Sequence, residues 1–241
     1  MEAVEPGTAP PAGFGSRNAV AEIHRMLRGQ IIANQLMAGT ELNQVQLARS
    51  LGVSRGPVRE ALRMLQDEGL VEALPNLRPR VAAIHPEDVD SLYAQRILVE
   101  VLGVTVTIPL LTAGEVEQST RLAEETIRTR DARDDAHRKA HYEFHRLLVS
   151  GLPRPLLTTC DRLFSQTERY RRFHSDHTEH SGTVSAAEHR RLAEACRTRD
   201  AADAAAALAE HYTRTALHVL ALLAPDYEPR AVRTALALAK R

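Results

Sequence analysis

Between residues 16 and 36 the apolar positions Val20, Ile23, Leu27 and Ile31 recur every three or four residues, the period of one helix face. Ala38-Gly39 breaks that pattern. A second, short helix is predicted from about Gln44 to Ser50, closed by Gly52. A third opens at Ser54, a residue suited to an N-cap, and runs to about Glu68, where Gly69 stops it. Pro57 falls in its first turn, where a missing N–H costs little. The period then changes: VEALPNLRPRVAAI holds two short apolar runs around Pro75-Asn76, which predicts a β-hairpin.

Beyond Pro86 the strand signal disappears. Asp88 to Leu111 reads as one long helix carrying Leu92, Ile97, Val101, Leu102 and Val104. Thr112-Ala-Gly-Glu115 is a capping box that opens the next. Two more are expected near 134–150 and 155–173, separated by Gly151-Leu-Pro153. HSDHTEHSGTVS, at 174–185, reads as a polar loop, and Ser185-Ala-Ala-Glu188 as a second capping box opening a helix to Thr198. A last helix runs from Asp200 to about Leu223, where Pro225 ends it. The predicted fold is mainly α: a winged helix-turn-helix with a small hairpin, then an all-helical bundle of about six to seven helices. The expected divisions are a disordered tail over 1–15, a DNA-binding domain over 16–84, a helical effector-binding and dimerisation domain over 85–225 and a C-terminal extension over 226–241.

Composition changes this picture little. Mean hydropathy is −0.29, no apolar run approaches the ~18 to 20 residues of a membrane span, and MEAVEPGTAPPAGFGS lacks the basic start of a secretory signal. A cytoplasmic protein is expected, with Cys160 and Cys196 as reduced core thiols. Charge is more telling in its distribution than in its sum of zero. Residues 16–84 hold nine arginines against six acidic residues, a net of +3, whereas 85–241 hold 22 basic and 23 acidic residues.

Within the positive segment, Leu47, Ala48 and Leu51 are placed to pack against Val53, Val58, Leu62 and Leu65, with Gly52 allowing the tight turn between the two helices. Arg55, Arg59 and Arg63 recur every four residues, making an arginine ridge on the second helix. Its N-terminal turn would enter a major groove with Ser54, Arg55, Gly56 and Arg59 nearest the bases, and Arg49 would reach a phosphate. An amphipathic helix with solvated arginines gives the same stripe. The stripe's coincidence with the LxxxLGVS turn, the EGLV exit and the hairpin favours double-stranded DNA as partner.

LARSLGVSRGPVREALRMLQDEGLVEALPN resembles the winged helix-turn-helix of GntR-type bacterial transcriptional regulators, with SRGPVREAL its most specific string. The helical remainder resembles the FadR-like subfamily and its FCD effector domain, the likeness covering about residues 17–223. It implies a homodimeric, non-enzymatic repressor or activator on a pseudo-palindromic operator, released by a small organic acid. The wing departs from the family: Pro75-Asn76-Leu77-Arg78-Pro79 stands where Pro-Asn-Arg-Gly is usual. Asn76 and Arg78 are its candidate DNA contacts.

His141 and His145, four apart in HYEFHRLL, leave three readings open: a metal grip, a pH-sensitive patch or surface histidines. With His137 they form an i, i+4, i+8 stripe, which a solvated face would also show. The FCD pattern combines an Asp-x-x-x-His pair with one histidine on each of two later helices, all holding a divalent metal. The resemblance maps the second member to His145, the third to His189 and the fourth to His211, with His141 where the family has aspartate. Residues four apart share a helix face, so both rings can meet one ion. Exchanging a carboxylate for imidazole favours zinc, with nickel or cobalt as alternatives, over manganese or magnesium, and makes affinity fall below roughly pH 6 to 6.5. Arg96, Tyr142, Arg154 and Arg169 are candidate effector contacts, Arg96 having a surface ion pair with Glu100 as its other reading. A zinc hydrolase is a rival reading, as is a regulator whose histidines line a metal-free polar pocket.

Overall fold

The structure is a computed structural model that describes residues 19–33, 35–72, 78–130, 135–176 and 181–240. The chain divides after Ala83 into two compact units, each with its own core.

In the first unit α1 (Ala19–Ile32) packs on α3 (Arg55–Asp67), with α2 (Gln44–Ser50) completing the helix-turn-helix. Ile23, Leu27 and Ile31 meet Val58, Leu62 and Leu65, as the helical spacing requires. Gly52 and Gly69 end α2 and α3 at φ of 65° and 72°, a left-handed conformation that glycine alone adopts cheaply. In both cases the next residue's N–H closes back on the helix, Val53 onto Ala48 and Leu70 onto Leu65. The hairpin consists of β1 (Val71–Glu72) and β2 (Arg80–Val81), antiparallel with Val71 opposite Val81. Its tip, including Asn76, lies outside the described residues.

The second unit is all-helical: α4 (Pro86–Thr107) with a 3-10 turn at Ile108–Leu110, α5 (Ala113–Thr129), α6 (Asp135–Leu148), α7 (Arg154–Asp176), α8 (Ser181–Thr198), α9 (Ala201–Leu223) and α10 (Arg230–Ala239). The Thr112/Glu115 capping box forms with both reciprocal bonds. Helix α4 is the hub, lying against α9, α10 and α7. At Gly103 a Cβ would stand 2.6 Å from Val149 Cγ1, so the absence of a side chain there lets α4 approach the segment after α6. Pro86–Leu110 is long and apolar enough for a membrane span by composition, which amends the expectation that no such stretch exists. Half of it is buried inside the protein and its Asp90, Arg96 and Glu100 point inward, as in a core helix.

Three stretches differ from the sequence expectation. The segment over 226–241 contains α10, whose Val232 and Ala235 join the core. Its N-terminus is held by buried Asp90, which accepts from Val232 N at 2.8 Å, Ala231 N at 3.0 Å and the Tyr227 hydroxyl at 3.3 Å. Pro225 and Pro229 punctuate the sequence so strongly that the ten residues after them read as a tail. Second, helices run into the 174–185 stretch from both sides, α7 to Asp176 and α8 from Ser181. Third, Ser185 therefore sits inside α8 and caps nothing. Its would-be partner Glu188 is engaged instead by His211 and Arg214.

Candidate functional site

The first unit presents α3 to solvent. Ser54 has the extended backbone of an N-cap but its hydroxyl caps nothing, leaving it exposed at the start of the helix. Arg49, Arg55, Gly56 and Arg59 are exposed as well, and the three arginines form no ion pair among the described residues. Arg63 differs. Its guanidinium is tied to Glu60 at 2.7 Å and Asp67 at 3.0 Å on its own helix. The ridge of three thus reduces to two open arginines at the N-terminal end of α3, with Arg63 partly neutralised. Arg78, at the base of the wing, pairs with Glu41 at 3.1 Å.

In the second unit the histidine stripe is buried rather than solvated: His137, His141 and His145 expose 7%, 4% and 2%. His189 from α8 and His211 from α9 join them, and one nitrogen from each of His141, His145, His189 and His211 lies within 4.8 Å of the others. All four expected metal positions are thus brought together.

The hydrogen bonds fix where the lone pairs point. His189 Nδ1 lies 2.7 Å from the Ser185 carbonyl, which can only accept, so Nδ1 carries the proton and Nε2 is bare. His211 Nδ1 lies 2.7 Å from Glu188, whose carboxyl is held at about 2 because His211 and Arg214 outweigh the burial that opposes its charge. That carboxylate also only accepts, so His211 Nε2 is bare too. His145 Nδ1 lies 2.9 Å from the Tyr212 hydroxyl, whose single proton goes to Glu100 at 2.5 Å. Tyr212 therefore accepts from His145, and again Nε2 is bare. His145 Nε2, His189 Nε2 and His141 Nδ1 are buried with no hydrogen-bond partner among the described residues.

Such an arrangement is costly for an empty polar cluster and suited to a cation. Burial, reinforced by the neighbouring imidazoles and arginines, holds His141 and His145 well below the ordinary imidazole range and His189 at about 3. The rings remain neutral, as ligation requires, at pH values where free imidazole protonates. The residues fit a divalent metal with four neutral nitrogen donors, each of three N–H groups being oriented by a carbonyl, a carboxylate or a hydroxyl.

The cavity beside the cluster has a volume of about 60 Å³, room for a few water-sized groups. Of the four expected effector contacts only Arg96 lines it. Arg96 pairs with Glu100 at 2.6 Å as its other reading expects, but the pair is buried, 3% exposed on each side, and not on the surface. Its other nitrogens donate to Thr167 Oγ1 at 3.1 Å and the Tyr212 hydroxyl at 2.6 Å, and its guanidinium carbon lies 4.0 Å from the centroid of the Tyr212 ring. It braces the ring that orients His145.

Tyr142 bonds Asp161 instead, Arg154 is exposed, and Arg169 is buried outside the lining. On α7 Arg171 lines the cavity and Thr167, four residues earlier, faces Arg96, whereas Arg169 lies about 200° from each. Arg171, His137, Tyr93 and Arg214 were missed as lining residues. Arg171 pairs with Glu168 at 2.6 Å and donates to His137 Nε2 at 3.2 Å, while His137 Nδ1 donates to the Thr126 carbonyl at 3.1 Å. His137's place at i−4 from His141 was the available signal. Cys160 and Cys196 are free and buried, and burial raises each thiol to about 11.

Comparison with known proteins follows this division. Residues 19–80 match the family described as bacterial regulatory proteins, gntR family, and residues 91–214 match the FCD domain. The uncharacterized HTH-type transcriptional regulator YdhC of Bacillus subtilis is 32% identical over 53% of this chain and 58% of its own length. The regulator BphR of Paraburkholderia xenovorans is 28% identical over 77% of this chain and 78% of its own. The repressor GlaR of Escherichia coli is 26% identical over 61% of this chain and 70% of its own. This chain spans 58%, 50% and 37% of the first three curated relatives. In fold it is similar to a putative GntR regulator from Rhodococcus sp. RHA1, with a TM-score of 0.69 over 89% of this chain and all of that one, at 23% identity. Escherichia coli McbR/YncC gives 0.70 over 85% and 98%, at 18% identity. The relatives are transcriptional regulators, and the exposed helix α3 lies in the segment matching the first family while the buried histidine quartet lies in the segment matching the second. The chain belongs to the GntR family of bacterial DNA-binding transcriptional regulators and carries an FCD domain.

Proposed function

We propose that the protein is a cytoplasmic, homodimeric repressor whose grip on a pseudo-palindromic operator is controlled by a small organic acid bound at a metal in the FCD domain. The observation that carries the effector half is the buried quartet beside the cavity, with one nitrogen of each ring within 4.8 Å of the others and three of the rings holding a nitrogen without a partner among the described residues. Zinc is the proposed metal, with nickel and cobalt as alternatives, because four neutral nitrogen donors without a carboxylate suit borderline cations. When bound, it would supply a Lewis-acidic point of attachment for a carboxylate. The protein's own part is to keep the imidazoles neutral, to hold His145 through Tyr212 and His211 through Glu188, and to shield the site from bulk water.

The DNA half rests on Arg55, Arg59, Ser54 and Gly56 at the open end of α3, with Arg49 on a phosphate and Asn76, Arg78 and Arg63 as secondary contacts. Dimerisation is supported by α4. Its outward positions from 91 to 110 carry no charge, and Leu98, Leu102, Val106 and Leu110 expose 47%, 48%, 38% and 71%. An uncharged ridge at i, i+4 spacing is self-complementary about a twofold axis. The repressor sign is supported by the name of GlaR, and ligand-induced release is the expected response.

Selection of duplexes from a random-sequence library by the purified protein tests this reading. A pseudo-palindromic motif, bound as two protomers per site, is the expected result. Enrichment of single half-sites, or of no motif, contradicts it.

A further inference from the structure

One unpartnered polar atom in the cavity is left over when a metal has been assigned its four nitrogens. It is the hydroxyl of Tyr93, which lines the cavity from α4, is 1% exposed and has no hydrogen-bond partner among the described residues. Tyr93 stands three residues before Arg96, on the same face of the helix, and its ring meets Tyr212 edge-on at 6.3 Å. Burying a hydroxyl unpaired is unfavourable, and phenylalanine would fill the same space without that cost. The phenol is also a poor acid here, because burial raises it to about 12, so it stays a hydrogen-bond donor at any physiological pH.

The charges around it narrow what it would receive. Arg96 faces Glu100, Arg171 faces Glu168 and Arg214 faces Glu188. Each of these guanidiniums already has its counter-charge, so none of the three calls for a second carboxylate on the ligand, and Arg130, also in the lining, is not free either. Among the described residues the unmet capacity of the cavity is a cation site on the α6, α8 and α9 wall and one hydroxyl donor on the α4 wall.

We propose that Tyr93 is a specificity-determining residue, and that the effector is a carboxylic acid bearing a hydroxyl or carbonyl oxygen that accepts a hydrogen bond from the Tyr93 hydroxyl. This rests on the reading of the quartet as a metal site that receives an acid. A simple aliphatic acid would engage the metal and leave Tyr93 unpaired; an oxygenated acid of matched length would satisfy both walls.

The test uses full-length protein loaded with cobalt(II), whose visible absorption reports ligands entering the coordination sphere. Wild type and Tyr93→Phe are titrated with propionate, lactate and 3-hydroxypropionate. One hydroxylated acid is expected to bind wild type at least about tenfold more tightly than propionate, the worth of one well-made hydrogen bond. In Tyr93→Phe that advantage disappears, while cobalt affinity and propionate affinity stay as in wild type and the ligand-free protein melts no lower. An advantage retained in Tyr93→Phe comes from chelation of the metal and overturns the role of Tyr93. Equal binding of all three acids to wild type overturns it too. Cobalt bound without spectral response to any acid overturns the acid-on-metal reading itself, and the proposal with it.

Discussion

Alanine at both Arg55 and Arg59 is expected to lower operator affinity by at least about a thousandfold, with the thermal unfolding of the chain unchanged. Both guanidiniums are exposed at the N-terminal end of α3 and neither forms an ion pair among the described residues, so their removal disturbs no internal packing. Removing an arginine that touches a base or a phosphate costs about 1–3 kcal/mol of binding. Two such arginines in each protomer, on two half-sites, reach at least about 4 kcal/mol. The slope of affinity against salt should shrink as well, by about one for each phosphate no longer neutralised. Arg63→Ala is the internal control. Its charge is shared with Glu60 and Asp67, so its removal should weaken binding far less. Fluorescence anisotropy on the selected operator, at two or more salt concentrations, measures all three variants. Equal weakening by Arg63→Ala and by alanine at Arg55 or Arg59 would place the DNA along the whole helix rather than at its N-terminal turn.

Glu100→Ala should be the most destabilising single change in the effector domain, at about 3–5 kcal/mol, the usual consequence of breaking a buried ion pair from one side. The variant strands the Arg96 guanidinium at 3% exposure with only Thr167 and Tyr212 hydroxyls as partners. It also removes the acceptor that fixes the Tyr212 proton, so His145 loses its defined tautomer. Replacing both partners, Arg96→Met with Glu100→Leu, should recover most of the stability, because a buried pair exchanged for apolar side chains of similar volume is often neutral. Urea unfolding of wild type and both variants checks this. A small effect of Glu100→Ala would mean that Arg96 has a better partner than the geometry gives it.

Much of the fold was legible because it depends on local periodicity and caps. Gly52, Gly69 and the Thr112/Glu115 box all stand where the expected helices begin or end. What escaped is non-local. The Ser185 box has the right letters, but Glu188 is drawn away by His211 and Arg214, which arrive from another helix. Helix α10 depends on Asp90, some 140 residues earlier in the chain, so nothing near it announces it. In the site, the four histidines and Arg96 could be matched to motif positions, whereas Tyr142 and Arg169 had no motif position to fix them. Charge alone does not tell Arg169 from Arg171; helix phase does, once Thr167 is known to face Arg96. Burial then turns the expected surface pair of Arg96 into a brace within the core that also lines the cavity.

Whether His141, His145, His189 and His211 form a metal centre decides the effector half of the proposed function. Calorimetric titration of zinc into chelator-treated protein at neutral pH tests it most directly, with His145→Ala and His211→Ala measured alongside. One zinc per chain in the wild type, with affinity reduced at least about a hundredfold in each variant, is the predicted result. Zinc well below one equivalent per chain, or binding that both variants retain, would contradict it.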